Sequence, residues 1–296
     1  MRARQARVES GLKARGYKTR ARTENVANAL IVEGPDDNSD AQSLIAQMPE
    51  VKSVHKVRIF KKTLDRAAQV HGVVAAWEQL GIGKAGAGIK IGILDSGIEL
   101  THAGFQDESL PAIEGYPKVS PELNLAFTNR KVVVARSYSN LFSRNETDTT
   151  ALDLSGHGTA VAMSAAGVRH ESPMGLMSGM APAAYLGVYK IFGTPGINDG
   201  TTDAAILKAI DDAVADGMDV INLSFGTQLA ARPENDIIVK ALAQAEAAGV
   251  IAVVSAGNDG PGLATLGSPA SAPTALTIGA NENGKVTASA LVVSGS

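Results

Sequence analysis

Two hydrophobic periods alternate along the chain, and the change from one to the other predicts its elements. After residue 73, segments with apolar positions three and four residues apart follow short apolar runs bounded by turn residues. The predicted helices are 73–80, 157–167, 203–217 and 235–248. The predicted strands are 89–94, 131–137, 184–192, 220–225, 250–257 and 275–280. This order predicts an α/β fold, with a mostly parallel sheet covered by helices on both faces.

The first part of the chain has a different pattern. Residues 28–34 form a strand-like run, residues 39–48 have helical spacing, and residues 51–60 alternate like a second strand. We predict a small α+β unit here, with a boundary near Lys62. The predicted domains are therefore 1–62 and 63–296.

Composition and charge restrict the classes of partner. Glycine is abundant, at 31 residues, and only 4% of residues are aromatic, so we expect small residues to bring helices and strands close together. The formal net charge of -3 gives no global reason to expect nucleic acid as a partner. The opening "MRARQARVESGLKARGYKTRAR" is basic but lacks aromatic residues between its charges, which favours a solvated face over a nucleic-acid arm. No apolar run is long enough to span a bilayer.

Three polar residues follow strands or open helices where chemistry is expected in a parallel sheet. Asp95 follows the strand 89–94, His157 opens a helix between two glycines, and Asn258 follows the strand 250–257. The carboxyl ends of parallel strands meet at one edge, so these side chains can converge. An aspartate that orients a histidine, and an amide that donates to an oxyanion, are supporting parts of acyl transfer. Taken singly, each residue is more simply interpreted as a turn or helix-start residue, and only their combination and order favour this chemistry.

Five segments, in this order, resemble the subtilisin-like serine proteases, or subtilases. They are "ILDSGI", "GHGTAVA", "GMAPAAYLGVYKIF", "DVINLSFG" and "SAGNDGPGLATLGSPASAPTALTIGA", and they lie between residues 73 and 280. The resemblance implies that Asp95 orients His157, that His157 is general base and acid, and that Asn258 donates to the oxyanion. It also implies substrate-binding walls formed by Ser224, Phe225 and Gly226 and by Ser255, Ala256 and Gly257. Phe225 and the small residues suggest a pocket for an apolar side chain.

The nucleophilic serine of such a protease is missing. The serines after Asn258 are Ser268, Ser271, Ser289, Ser294 and Ser296, and none lies in a segment like G-T-S-x-A. We therefore expect a piece of a longer serine endopeptidase that is inactive by itself, with an apolar sheet face left uncovered where a helix is missing. The alternative is a non-catalytic, subtilase-like peptide-binding or chaperone module.

The resemblance also extends to the region before Lys62, which is similar to a subtilase propeptide. It implies a zymogen that cuts itself between Lys61 and Leu64, with polypeptide substrates and its own propeptide as partners, and a secreted, extracellular precursor. No cofactor is expected to be required. Oxygen-rich side chains in residues 193–203 and in the loop after Asn258 could hold a structural calcium ion, but without EF-hand spacing a solvated loop is the favoured interpretation.

Overall fold

The chain folds into two compact units. The computed structural model describes residues 2–23, 29–34, 41–59, 64–142, 144–173, 175–228, 232–281 and 287–294. One unit contains residues 1–63 and 283–296, and the other contains residues 64–282. The predicted domains placed 283–296 with the peptidase part, whereas the structure groups this segment with the first unit. Most of the predicted cut, residues 61–63, lies outside the described residues, as do the predicted element ends at 28, 39 and 60.

The first unit is an antiparallel sheet with two helices. Its helices are α1 (Arg2–Lys13) and α2 (Ala41–Ala46), and its strands are β1 (Lys18–Thr23), β2 (Ala29–Glu33), β3 (Ser53–Ile59) and β13 (Thr287–Ser294). The strand order is β1-β2-β13-β3, and every neighbouring pair is antiparallel. The carboxyl-terminal strand β13 therefore pairs on both sides with strands from the beginning of the chain.

The basic opening of the chain contains a helix and a strand that its hydrophobic pattern does not predict. In α1 most residues are polar, but Val8 and Leu12 are buried against Leu30, Val32 and Ile45. These two apolar positions, four residues apart, lie on the same face of the helix. The basic side chains of α1 do lie in the solvated part of the helix where they are described, at Arg7 and Lys13.

The second unit is built on a seven-stranded parallel sheet. Its helices are α3 (Leu64–Val70), α4 (Val73–Leu80), α5 (His157–Ala166), α6 (Asp203–Ala215) and α7 (Ile237–Ala247). The sheet strands are β4 (Lys90–Asp95), β5 (Lys118–Ser120), β6 (Val132–Ser137), β9 (Tyr185–Lys190), β10 (Val220–Leu223), β11 (Ile251–Ser255) and β12 (Leu276–Ile278). Strands β7 (His170–Ser172) and β8 (Gly175–Met177) form a separate antiparallel pair.

Helices cover both faces of this sheet, which confirms the predicted fold class. Residues of α6 and α7 share one core with Leu94, Ile221 and Val254, while residues of α5 share the other core with Ile93 and neighbouring strands. The buried face of α6 contains the alanines Ala205, Ala209 and Ala213, each fully buried. Small side chains let the helix approach the sheet closely, as the glycine- and alanine-rich composition predicts.

The face opposite α6 and α7 is exposed at one end of the sheet. Ile251, Leu276 and Ile278 are 51%, 57% and 55% exposed, although they belong to strands. Ile251 alternates with Ala252, which packs under α7, and Leu276 pairs with Val253, so these exposed residues share the other face. The predicted uncovered apolar surface is therefore present on β11 and β12.

The strand order reverses direction at β4. The order is β12-β11-β10-β4-β9-β6-β5, so the chain leaves β4 to build one side of the sheet and later returns to build the other. Because all seven strands are parallel, their carboxyl ends lie at the same edge. Crevices at such a reversal are the usual ligand sites of open parallel sheets. Asp95, the last residue of β4, lies there.

A buried carboxylate joins this sheet to the end of α6. Asp216 is 2% exposed and accepts two hydrogen bonds of 2.7 Å from the guanidinium of Arg136 and one of 3.0 Å from the hydroxyl of Tyr189. The hydrogen bonds to Asp216 raise the pKa of Arg136, against an opposing effect of burial. Removing the carboxylate would leave the guanidinium and the hydroxyl without this partner.

We expect Asp216→Ala to lower the free energy of unfolding by about 3–5 kcal/mol, because it leaves a buried charge uncompensated. Urea unfolding followed by circular dichroism measures this change. The matched control is Asp211→Ala, whose carboxylate pairs with Lys208 on the surface and is 75% exposed. That variant should change the free energy by about 0.5 kcal/mol or less. Equal losses in the two variants would contradict the assigned role of Asp216.

Candidate active site

Asp95 is held at the carboxyl end of β4 by the sheet itself. The residue is 1% exposed, and its backbone carbonyl accepts a hydrogen bond of 2.8 Å from the N–H of Ile191. The N–H of Ser96 donates to Asp95 Oδ1 at 2.7 Å. The carboxylate is therefore fixed in position with little freedom to turn toward solvent.

His157 is the first residue of α5 and contacts Asp95 directly. Its Nδ1 lies 2.8 Å from Asp95 Oδ1 and 3.0 Å from Oδ2, across 62 residues of sequence. An ionised carboxylate only accepts hydrogen bonds, so Nδ1 is the donor and Nε2 of the neutral ring remains an acceptor. The histidine side chain is 56% exposed, whereas that of Asp95 is 2% exposed. The pair thus has a buried end and an accessible end.

Glycine is required on each side of His157 for a different physical reason. Gly156 has φ 84° and ψ -7°, a left-handed conformation that glycine adopts without strain, and a side chain there would meet open space. At Gly158 the space is the constraint, because a Cβ would overlap the backbone of Gly97 and Ser96. Gly158 therefore leaves room for the close approach of two backbones, while Gly156 is needed for the turn into the helix.

The electrostatics of Asp95 combine two opposing effects. Burial raises the pKa of Asp95, and the hydrogen bonds from His157 and Ser96 lower it, with a net increase above the ordinary value for aspartate. The ionised carboxylate is thus costly to bury here. A neighbouring cation is the natural compensation, and a protonated His157 would supply it.

A cavity of about 290 Å³ opens beside the accessible end of His157. Its lining includes Ser96, Ser155, His157, Phe192, Asn198 and Ser224. The loop after β9 forms one wall, and the carboxylate of Glu146 holds this loop by accepting hydrogen bonds from the N–H and hydroxyl of Thr194, each at 2.7 Å. The cavity is large enough for a side chain of a bound ligand, and it exposes Nε2 to that ligand.

The six predicted substrate-binding residues lie at or directly after the ends of β10 and β11, at the same edge as Asp95. Ser224 lines the cavity, and Phe225 packs edge-to-face on Phe192, with ring centroids 5.7 Å apart. Gly226 lies close to the carbonyl of Ser268. Among Ser255, Ala256 and Gly257, the N–H of Ala256 donates to the carbonyl of Ile278 at 2.9 Å, and Gly257 has φ 98°.

Asn258 lies on the turn that follows β11 and is exposed. Within the described part of the chain, its side-chain amide makes no hydrogen bond, so it is available to a ligand. The sheet brings its turn to the edge occupied by Asp95, two strands away along the order β11-β10-β4.

Sequence reasoning missed the polar side chains that surround the pair. Asp153 accepts hydrogen bonds from the N–H and the hydroxyl of Thr159. It also accepts one from the hydroxyl of Ser96, which directly follows β4. Lys190 is fully buried opposite Asp95 and donates to Asp148 at 2.5 Å and to the carbonyl of Leu152 at 2.6 Å. The sequence offers one sign of the role of Asp153, which is its position shortly before a predicted helix start. Nothing local distinguishes Lys190 from a surface lysine.

Two further findings concern metals and membranes. In the parts of the chain that the structure describes, no group of three or more His, Asp or Glu side chains is arranged to hold a metal ion. In the loop 193–203, the side-chain amide of Asn198 donates a 3.1 Å hydrogen bond to Glu146. Across the described residues, every helix is too short or too polar to cross a membrane.

Comparisons with known proteins identify the family of this chain. Residues 86–292 match the model of the Subtilase family. The chain is 35% identical over 210 residues to the tomato (Solanum lycopersicum) protein named Subtilisin-like protease SBT3, covering 65% of this chain and 26% of that protein. It is 36% identical over 203 residues to the CO(2)-response secreted protease of Arabidopsis thaliana, covering 64% and 26%.

A third relative aligns over more of the chain. The Arabidopsis thaliana protein named Subtilisin-like protease SBT2.1 is 31% identical over 280 residues, which is 84% of this chain and 32% of that protein. The chain therefore spans about a quarter to a third of the length of these relatives. The family match covers the strand that ends in Asp95, the helix that begins with His157 and the turn of Asn258, and the chain belongs to the subtilase family.

Proposed function

We propose that this chain provides the aspartate, the histidine and the oxyanion donor of a serine endopeptidase. The single observation that carries the proposal is the contact of His157 Nδ1 with the buried carboxylate of Asp95, with the other end of the ring accessible. In this arrangement the carboxylate holds the tautomer in which Nε2 accepts a proton. It also stabilises the imidazolium that forms when Nε2 takes that proton from a nucleophile.

The nucleophilic serine comes, in this proposal, from a helix that is not among the described residues. The apolar sheet face formed by Ile251, Leu276 and Ile278 is exposed, and this supports a further helix. The apolar face of a parallel sheet is normally covered by helices. A helix packed there would begin near the carboxyl edge of the sheet, where the ring of His157 is accessible. The chain as given would then lack hydrolytic activity.

The substrates in this proposal are polypeptides bound as an added strand. The segments Ser224 to Gly226 and Ser255 to Gly257 flank the sheet edge and offer backbone groups for such pairing. The side-chain amide of Asn258, which has no hydrogen-bond partner among the described residues, would donate to the oxyanion of the tetrahedral intermediate. Loss of such a donor lowers turnover by about a hundred- to a thousandfold.

Residues 1–62 act, in this proposal, as a propeptide that occupies the active cleft before it is removed. One of the relatives is named a secreted protease, which supports an extracellular location for this one. We expect separately made residues 1–62 to inhibit the active enzyme at micromolar concentration. Because β13 is a central strand of this sheet, a peptide of residues 287–294 added to 1–62 should strengthen the inhibition. No inhibition with or without the added strand would contradict this role.

A fluorophosphonate probe tests the proposed enzyme class directly. In the full-length gene product we expect a serine to be labelled, and we expect His157→Ala to slow labelling on the order of a thousandfold or more, since the general base is lost. The matched control is His71→Ala, an exposed histidine remote from the cavity lining. Labelling that is unaffected by His157→Ala would contradict the triad. Absence of labelling together with retained peptide binding would instead support a non-catalytic binding module.

The variant Asp95→Asn separates stability from activity. In the full-length gene product, turnover should fall about ten-thousandfold, because an amide no longer holds the required tautomer. The free energy of unfolding of this variant relative to wild type should increase at neutral pH, although turnover falls. With the pKa of Asp95 raised in the folded chain, its contribution to stability is complete below the pKa of an unfolded aspartate and is lost as pH rises through the raised value.

Asparagine does not titrate, so the stability of Asp95→Asn relative to wild type should increase as pH rises from about 4 to neutrality. Urea unfolding of the 296-residue chain over this range measures the effect, with the exposed Asp211→Asn as the control. A variant that loses stability relative to wild type as pH rises would contradict the assigned cost of burying Asp95.

A further inference from the structure

Asp153 accepts an unusual number of hydrogen bonds at the start of the helix that carries His157. Its Oδ1 accepts from the hydroxyl of Ser96 at 2.8 Å and from the N–H groups of Ser155 and Gly156 at 3.0 and 2.8 Å. Its Oδ2 accepts from the N–H and the hydroxyl of Thr159 at 2.8 and 2.6 Å. Oδ1 thus accepts hydrogen bonds from residues that precede His157 in the chain, and Oδ2 accepts them from a residue that follows it.

Ser96 connects this carboxylate to the strand end. Its hydroxyl donates to Asp153 and accepts a 2.9 Å hydrogen bond from the N–H of Gly158, while its own N–H donates to Asp95. One residue therefore contacts the carboxylate of Asp95, the helix start and Asp153. Because Gly158 has no side chain, the helix can come close enough for these bonds to form.

Thr159 makes a second connection to the loop after β4. Its hydroxyl donates to Asp153 Oδ2 and accepts a 2.9 Å hydrogen bond from the N–H of Glu99. The first turn of α5 is thus tied to the chain after Asp95 at two points, through Ser96 and through Thr159. Asp153 is the acceptor that both hydroxyls share.

We propose that Asp153 is a positioning residue, which fixes the first turn of α5 on the end of β4 and so holds His157 Nδ1 within hydrogen-bond distance of Asp95. Asp153 does not contact Asp95 or the ring of His157, and it acts through Ser96 and Thr159. This inference rests on the proposed function of the same site, and it adds a residue that determines the geometry of the pair.

The chemistry of the cluster requires a carboxylate at this position. All five groups that point at Asp153 are donors, and only an ionised carboxylate accepts at both oxygens. An asparagine would direct an N–H₂ group at one set of these donors. Burial raises the pKa of Asp153, but the hydrogen bonds from Thr159, Gly156 and Ser96 outweigh burial and lower the pKa below the ordinary value. The negative charge also suits the amino terminus of a helix.

A helix cap with no role in positioning is the simpler interpretation, and the chain contains a control for it. Asp236 caps α7 by accepting hydrogen bonds from the N–H groups of Ile238 and Val239 at 2.9 and 3.2 Å. This cap lies outside the cavity lining and the His157 contacts. If Asp153 were only a cap, then Asp153→Ala and Asp236→Ala would have the same effects.

The first experiment does not depend on proteolysis. In the 296-residue chain, the Nδ1 proton of His157 should give a low-field NMR resonance because of its hydrogen bond to Asp95. We expect Asp153→Ala to abolish or broaden this resonance, while Asp236→Ala leaves it unchanged. Thr159→Val removes the hydroxyl and should weaken the resonance, and Thr159→Ser keeps the hydroxyl and should retain it. Thermal unfolding of each variant verifies that it is folded.

The second experiment measures kcat and KM in the full-length gene product. We expect Asp153→Ala to lower kcat on the order of a hundredfold, as for a displaced catalytic group, with little change in KM. An unchanged resonance in a folded Asp153→Ala variant, or equal effects of Asp153→Ala and Asp236→Ala on the resonance and on kcat, would overturn the positioning role. If no variant hydrolyses peptides but the resonance behaves as expected, the proposed protease function fails while the positioning role stands.

Discussion

The hydrogen bond between Asp95 and His157 is the interaction on which the rest of the candidate site depends. It joins the end of a central strand to the start of a helix that is 62 residues away in sequence. The strand supplies rigidity, since Asp95 belongs to β4 and its backbone bonds to the next segment. The helix supplies access, since its first residue faces the cavity. Neither element alone would place an imidazole so that one ring nitrogen is hydrogen-bonded to a carboxylate and the other is accessible to a ligand.

Close approach of two backbones makes that hydrogen bond attainable. The helix start packs directly on Gly97 and Ser96, and any side chain at 158 would separate them. The polar groups at this approach hydrogen-bond to one another, with Ser96, Asp153 and Thr159 as the shared partners. Such paired polar groups make the surroundings of the two reactive residues more rigid. The geometry of the site is therefore a property of its surroundings as much as of its two reactive residues.

The sequence predicted the elements whose hydrophobic period is strong. The helix at Val73–Leu80 and the strand at Lys90–Asp95 agree with prediction to within one residue. Helix α1 was missed because only Val8 and Leu12 anchor it among basic residues. The pairing of β13 with β2 and β3 was also missed, since a period of two reveals a strand but not its partners. Asp95 and His157 followed from their places at strand and helix ends, but the link from Asp153 to Ser96 spans 57 residues and has no local signal.

The tautomer of His157 tests the central claim most directly. Nitrogen-15 chemical shifts of the labelled 296-residue chain, recorded at a pH where the imidazole is neutral, distinguish a protonated ring nitrogen from an unprotonated one. The structure predicts a proton on Nδ1, held by the carboxylate of Asp95, and a bare Nε2 directed at the cavity. A neutral ring with its proton on Nε2 and a bare Nδ1 would show that the two side chains do not interact as described. The proposed chemistry would then have no basis in this molecule.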